Sequence, residues 1–194
     1  MTASTPVPHL RTLEDLGAGA LGTVLDRALE LKALRGREEH PKPLAGKSVA
    51  VVLEKASTRT RLSFEVGIHE LGGLPIALLA KSTHLGRGEP ISDTARMLSG
   101  FVHAVVFRTF AQSRLEELAG ASRVPVINGL TDAVHPCQLL ADLMTVREAF
   151  GTLAGRTIAY VGDGNNMAHS WILAAGLTGL RLRLACPAGN APDE

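Results

Sequence analysis

The sequence has few of the features that mark secreted or membrane proteins. Its 194 residues include only two cysteines, Cys137 and Cys186, and these have neither CxxC nor zinc-type spacing, which fits a reducing compartment. No apolar run reaches the roughly 18 residues that a membrane span needs. The start, MTASTPVPHLRTLEDL, lacks the basic segment and apolar core of a signal peptide. We therefore expect a soluble, cytoplasmic protein.

An excess of charge of one sign is also absent. Lys and Arg number 20 against 19 Asp and Glu, which gives a net charge of +1, so no overall field indicates binding to nucleic acid or to a membrane. The seven histidines are scattered, and we find no metal-ligand constellation. No GxxxxGK loop is present, which argues against a nucleoside triphosphate site. Neither a metal nor another cofactor is predicted.

What the sequence does contain is an alternation of strand and helix patterns. Most of the predicted strands are continuously apolar, which is typical of a parallel sheet with helices on both faces. We therefore predict an α/β fold. The predicted strands are 48–54, 74–80, 103–109, 124–129, 157–163 and 180–187. Predicted helices cover 21–35, 57–71, 91–101, 113–121, 136–150 and 166–176, and Ser92 or Asp93 is expected to be the N-cap of the third.

The alternating pattern restarts after GTLAGR, which predicts a domain boundary near residue 150. Residues 1–150 would form one domain and residues 151–194 the beginning of another. The second part contains a single βαβ pattern, which is too small for a stable sheet of its own. We expect either that the chain is a piece of a longer protein or that this part needs a partner, and the first expectation is favoured.

The stretch LEKASTRTRLSFE directly follows the first predicted strand. Ligands of parallel α/β sheets bind beyond the carboxyl ends of the strands, and a helix N-terminus there favours phosphate. Ser57, Thr58 and Thr60 add hydroxyl groups, and Arg59 adds a planar fork that matches phosphate oxygens. The alternative is that Ser57 only caps a helix whose arginines are solvated. Arg61 is expected to be peripheral.

Two further strand ends carry polar groups. His135 and Gln138 follow the fourth strand at a spacing of three, which places them on one side of a first helical turn. Together they can donate to a carbonyl oxygen and accept from an amide, as a carbamoyl group requires. Arg108 ends the third strand. The alternatives are a helix-capping histidine with an exposed glutamine, and a solvated arginine. Cys137 is expected to be a packing residue.

The stretch VGDGNNMAHS resembles the glycine turn of dinucleotide-binding proteins but lacks the complete fingerprint. Met167 occupies the third glycine position, and no acidic residue follows before Asp193. Asn165 and Asn166 are then either polar groups for a small ligand or residues of a turn. A dinucleotide site is not predicted.

Three motifs together resemble one enzyme family. EKASTRTRLSFE, HPCQLLADLMT and YVGDGNNMAHS, in this order, are similar to the motifs of transcarbamoylases, and the third is similar to that of the ornithine enzymes. DTARML and VPVINGLTDAVHP add to the resemblance. One departure is Leu53, where the family commonly has Phe. The resemblance implies a carbamoyl phosphate domain (1–150) and the start of a Rossmann-like ornithine domain (151–194), with the active site in the cleft between them.

The resemblance also implies a reaction and roles for individual residues. The carbamoyl group of carbamoyl phosphate would pass to the δ-amine of L-ornithine, giving L-citrulline and phosphate in arginine metabolism. Arg108, His135 and Thr60 would polarise the carbamoyl oxygen, and Gln138 would orient its NH₂ group. The residues implied to hold the phosphate are Ser57, Thr58, Arg59 and Thr60.

The acceptor site and the assembly are implied less completely. Asn166 would contact the ornithine backbone. His84 matches a loop that reaches a neighbouring subunit, which implies a homotrimer or a multiple of trimers, although the family more often has Gln there. The family continues beyond Glu194 with further ornithine-binding residues, so we expect weak binding and little turnover from this chain. Alternatives are a sister enzyme that uses putrescine or N-acylornithine, and a non-catalytic anion-binding module.

Overall fold

The computed structural model describes residues 7–79 and 88–193, in which helices and strands alternate. The strands are β1 Ser48–Leu53, β2 Leu74–Leu79, β3 Ala104–Arg108, β4 Val126–Leu130, β5 Thr157–Val161 and β6 Arg181–Ala185. The helices are α1 Gly17–Leu34, α2 Thr58–Glu70, α3 Ile91–Leu98, α4 Gln112–Ala121, α5 Pro136–Phe150 and α6 Asn166–Thr178, with a short 3₁₀ turn at Leu13–Asp15.

The strands form two sheets with parallel pairing. The larger sheet has the order β2-β1-β3-β4, and β1 runs parallel to both β2 and β3. The smaller sheet pairs β5 with β6, also in parallel. The predicted α/β fold with a parallel sheet is therefore confirmed.

Strand β1 shows why the apolar runs of the sequence are continuous. Ala50 and Val52 pack in one cluster with apolar residues of α3 and α4. Val51 and Leu53 point to the other face and pack with Ile68 of α2. Because helices cover both faces of the larger sheet, every residue of the strand interior has to be apolar.

The chain divides into two compact units, each with its own core. The first contains the described residues of 1–11 and 41–129, and with them most of the larger sheet. The second contains 12–40 and the described residues of 130–194. Its core joins Leu21 and Leu25 of α1, Leu139 and Leu143 of α5, and Ala174 of α6. This grouping by packing differs from the predicted boundary near residue 150, which stays a prediction.

Helix α5 has the predicted bounds, and local chemistry explains both ends. Pro136 occupies the first turn, where an N–H group has no intrahelical acceptor. Gly151 follows the last residue with φ 75°, a left-handed conformation that ends many helices and that glycine adopts without strain.

Helix α3 begins at the predicted residue, Ile91, but its predicted N-cap is wrong. Ser92 or Asp93 was expected to cap it, but the helix begins at Ile91 and Pro90 is the N-cap residue. The N–H group of Ser92 donates to Glu117 Oε1 at 3.3 Å. A carboxylate from α4 therefore satisfies a donor of the first turn, and this tertiary contact is not visible in the local sequence.

Two glycines of the first unit allow a test of the packing around α2. A Cβ atom on Gly73 would lie 2.9 Å from Ile68 Cγ2 and 3.0 Å from Leu44 Cβ. We expect Gly73→Ala to lower the free energy of unfolding by about 1–3 kcal/mol, because overpacking forces neighbouring atoms to move. Urea unfolding followed by circular dichroism measures the change.

Gly67→Ala is the matched control for this substitution. Gly67 lies inside α2, and nothing is within 4 Å of its added Cβ. The free energy of unfolding should therefore rise by about 0.5–1 kcal/mol, since alanine favours a helix interior over glycine. Equal stability of the two variants would contradict the described packing.

Candidate active site

The carboxyl ends of β1 and β3 lie side by side in the first unit. Leu53 is in register with Arg108, and the N–H group of Glu54 donates to the Arg108 carbonyl oxygen at 2.9 Å. Helix α2 begins four residues after Glu54, at Thr58. The sheet therefore brings the hydroxyl-rich stretch and Arg108 together, as expected for a ligand site of a parallel α/β sheet.

Ser57 is the N-cap residue of α2. Its Oγ accepts from the N–H group of Thr60 at 3.2 Å and donates to Thr60 Oγ1 at 2.9 Å. The hydroxyl of Ser57 thus has the capping role that the sequence left open as an alternative. In the described part of the chain, the N–H groups of Thr58 and Arg59 have no hydrogen-bond acceptor, as is usual in a first helical turn. These donors make the helix start suited to an anion.

Arg108 reaches back from β3 to this helix start. Its Nη1 donates to Thr60 Oγ1 at 2.9 Å. Its Nε is buried, and no described residue accepts a hydrogen bond from it. Burial, and then the nearby charge of Arg59, lower the pKa of Arg108, although a guanidinium remains charged at neutral pH. A buried donor without an acceptor is costly, and an anion bound at this place would satisfy it.

The two arginines of α2 differ in their surroundings. Arg59 is exposed in the first turn, next to the donors described above. Arg61 forms an ion pair with Glu65 at 3.0 Å on the exposed surface of the helix. Arg61 is therefore engaged within its own helix, in agreement with the peripheral place predicted for it.

A buried carboxylate that the sequence did not single out, Glu54, forms an ion pair with Arg114 beside this site. The carboxylate of Glu54, with its side chain only 8% exposed, accepts from Arg114 Nε at 3.0 Å and from Nη2 at 2.5 Å. It also accepts from the hydroxyl of Thr109. The hydrogen bond with Glu54 is the main reason that the pKa of Arg114 is raised. A charged residue directly after a buried strand was the available signal, but its partner is 60 residues away in sequence.

His135 and Gln138 lie in the first turn of α5, in the second unit. His135 is the N-cap residue, and its N–H group donates to Ser170 Oγ at 2.8 Å. Gln138 is exposed, and its amide nitrogen donates to Asp142 Oδ1 at 2.9 Å. The predicted placement of both residues on one helical turn is confirmed, whereas their role toward a ligand stays a prediction.

Asn166 is the first residue of α6 and is linked to the same region of the second unit. Its amide nitrogen donates to the Thr131 carbonyl oxygen at 2.9 Å, and its own carbonyl oxygen accepts from Ser170 Oγ at 2.6 Å. Asn165 is the N-cap residue, with Oδ1 accepting from the N–H group of Met167 at 2.9 Å. Asn165 is therefore a turn residue, and Ser170 connects the starts of α5 and α6.

Cys137 and His84 are the remaining candidates from the sequence. Burial raises the pKa of Cys137 to about 12, which makes it a poor nucleophile. His84 lies outside the described residues. No group of three or more His, Cys, Asp or Glu side chains within 7–79 and 88–193 is arranged to hold a metal ion. None of the helices in those ranges is long and apolar enough to cross a membrane.

Two protein-family models match the chain in succession. Residues 8–148 match the aspartate/ornithine carbamoyltransferase, carbamoyl-P binding domain. Residues 154–194 match the aspartate/ornithine carbamoyltransferase, Asp/Orn binding domain. An ornithine carbamoyltransferase of Parafrankia sp. is 56% identical over 188 residues, which are 96% of this chain and 59% of the relative. The corresponding protein of Methylococcus capsulatus is 51% identical over 95% of this chain and 61% of its own length.

Solved structures agree with these matches. Ornithine carbamoyltransferase from Burkholderia thailandensis has a TM-score of 0.92 and 44% identity, covering 96% of this chain and 64% of that one. The catalytic subunit of aspartate transcarbamoylase from M. jannaschii has a TM-score of 0.87 and 31% identity, covering 97% of this chain and 63% of that one. This chain thus spans about three fifths of the length of these relatives. It belongs to the aspartate/ornithine carbamoyltransferase family.

Proposed function

We propose that this chain binds carbamoyl phosphate and takes part in the transfer of its carbamoyl group to the δ-amine of L-ornithine. The products would be L-citrulline and phosphate, in arginine metabolism. The observation that carries the proposal is the start of α2, where Arg108 presents a buried Nε without an acceptor among the described residues. The names of relatives that are 51–56% identical over the aligned residues support ornithine as the acceptor.

The phosphate group would bind at the N-terminus of α2. The N–H groups of Thr58 and Arg59 and the positive end of the helix dipole favour a dianion there. The Arg59 guanidinium would add a forked contact, and Thr60, with the capping hydroxyl of Ser57, would complete the set. Each charge-assisted hydrogen bond contributes about 1.5–3 kcal/mol, so a few such bonds offset the cost of association.

The carbamoyl group would be polarised rather than attacked by the protein. When the neutral δ-amine attacks the carbamoyl carbon, a tetrahedral oxyanion forms and then collapses with loss of phosphate. We assign Arg108, Thr60 and His135 as donors to that oxyanion, and Gln138 as the acceptor from the carbamoyl NH₂. A well-placed donor of this kind lowers the barrier by about 2.7–4 kcal/mol.

The other sequence expectations belong to the same proposal. Residues 1–150 would form the carbamoyl phosphate-binding domain and 151–194 the beginning of the ornithine-binding domain, in agreement with the two family matches. Asn166 would contact ornithine. His84 would contact carbamoyl phosphate from a neighbouring subunit in a homotrimer or a multiple of trimers. No covalent intermediate on the protein and no cofactor is required, and the protein would act in the cytoplasm.

The first test is calorimetric titration of carbamoyl phosphate into the wild-type protein and into Arg59→Ala. We expect saturable binding by the wild type and at least a tenfold loss of affinity in the variant, because one charge-assisted contact is removed. Arg61→Ala is the matched control. Arg61 is paired with Glu65, so its removal should change the affinity by less than about twofold.

The acceptor is tested separately, in the gene product that carries this chain. Citrulline should form from carbamoyl phosphate and L-ornithine, and little or no product should form with aspartate, putrescine or N-acetylornithine. Binding of carbamoyl phosphate together with transfer to another amine would overturn the ornithine assignment alone. Equal binding by wild type, Arg59→Ala and Arg61→Ala would overturn the phosphate site itself.

The proposed transfer uses no covalent nucleophile of the protein, which gives a second prediction, on Cys137. With a pKa of about 12, only about one thiol in ten thousand is ionised at pH 8. Iodoacetamide should therefore alkylate Cys137 much more slowly in the folded protein than in urea, as mass spectrometry of the peptides would show. Alkylation at equal rates in both conditions would contradict the raised pKa of the thiol in the folded protein. Cys137→Ala should retain carbamoyl phosphate binding.

A further inference from the structure

The buried carboxylate of Glu54 joins two separate chain segments that carry the candidate phosphate-binding groups. Glu54 lies at the end of β1, three residues before Ser57. Thr109 and Arg114 belong to the segment that follows Arg108 and to α4. The side chain of Glu54 contacts both of them, as described above. One carboxylate therefore connects the segment before α2 with the segment after β3.

The contacts use both carboxylate oxygens. Arg114 Nη2 donates to Oε1, while Arg114 Nε and the Thr109 hydroxyl donate to Oε2. An amide presents only one acceptor oxygen, so glutamine could not accept all three hydrogen bonds. The side chain of Glu54 is 8% exposed and that of Arg114 is 39% exposed, so the carboxylate is the shielded partner of this ion pair.

A second contact connects the same two segments. The Nζ of Lys55 lies 4.6 Å from the ring centroid of Phe110, a cation–π distance. Glu54 and Lys55, which follow β1, thus contact Thr109 and Phe110, which follow β3. Arg108 directly precedes Thr109 in the chain. Its backbone carbonyl oxygen accepts a hydrogen bond from the backbone N–H group of Glu54. The backbone of Arg108 is therefore hydrogen-bonded to the backbone of Glu54, and its guanidinium is hydrogen-bonded to Thr60.

We propose that Glu54 is a positioning residue, which fixes the Arg108 guanidinium against Thr60 by holding the Thr109–Arg114 segment to the end of β1. The inference deepens the proposed function and rests on it for its effect on carbamoyl phosphate. Arg114 neutralises the Glu54 charge, so a carboxylate next to an anion site does not compete for Arg59 and Arg108. Misplacement of a binding group by about 1 Å can cost 10²-fold in rate.

The test records the ¹⁵N resonance of the Arg108 Nε–H group in the wild type and in Glu54→Gln, without ligand, followed by titration with carbamoyl phosphate. Arg108→Lys provides the assignment. In Glu54→Gln we expect the resonance to shift and broaden. The affinity should fall about tenfold or more, because a charge-assisted hydrogen bond from Arg108 to the ligand is weakened. The resonance and the affinity are measured well below the unfolding temperature of each protein, and circular dichroism verifies that each variant is folded.

Glu65→Gln is the matched control, because it makes the same substitution in an ion pair of the same unit that is more exposed and confined to α2. It should leave the Arg108 resonance unmoved and the affinity within about twofold. Should Glu54→Gln fail to fold, Thr109→Val and Thr109→Ser replace it. Valine removes the hydroxyl that contacts Glu54, whereas serine keeps it, so only valine should move the resonance and weaken binding.

The two claims fail in different ways. A shifted Arg108 resonance in a protein whose wild type does not bind carbamoyl phosphate would overturn the proposed function and leave the positioning role intact. An unchanged resonance in folded Glu54→Gln, or in Thr109→Val, would show that the ion pair serves stability alone and would overturn the positioning role, whatever the affinity.

Discussion

The hydrogen bond from Arg108 to Thr60 is the interaction on which the candidate site depends. It joins the end of β3 to the first turn of α2, and it can form only because β1 and β3 are parallel neighbours with Leu53 opposite Arg108. Parallel strands end at the same edge of a sheet, so groups far apart in sequence converge there. The same edge carries the capped helix start that suits a phosphate group.

The stability of this arrangement comes from the apolar residues beneath it. Strand β1 is buried on both faces, with α3 and α4 on one side and α2 on the other. A strand packed in this way is among the last elements to open. The polar groups at its end are therefore held by a rigid scaffold, and an anion-binding site gains affinity when its donors need not be ordered on binding.

Much of the fold could be predicted from the sequence, because the patterns that indicate its strands and helices lie within short stretches of the chain. Continuous apolar runs predicted most of the strands, and Pro136 indicated the start of α5. The N-cap of α3 was predicted wrongly because Glu117, from another helix, satisfies the N–H donor of Ser92. The sequence also placed Ser57 and Thr60 correctly at the helix start after β1, and Arg108 at the end of β3. It left open whether Ser57 caps the helix, which depends on the rotamer of its hydroxyl.

The supporting contacts of the site could not be predicted in this way. Glu54 and Arg114 are 60 residues apart, and no periodicity connects them. The same holds for Ser170, which links the starts of α5 and α6 through His135 and Asn166. Such contacts are fixed by the tertiary arrangement, so sequence motifs identify the groups that would touch a ligand more readily than the groups that hold them.

The most direct measurement is a crystal structure of this protein with carbamoyl phosphate bound. We expect that the phosphate oxygens accept from the N–H groups of Thr58 and Arg59, and that the Arg108 guanidinium, including Nε, donates to the ligand. Carbamoyl phosphate bound elsewhere in the molecule, or at α2 with the Nε of Arg108 still lacking an acceptor, would contradict it.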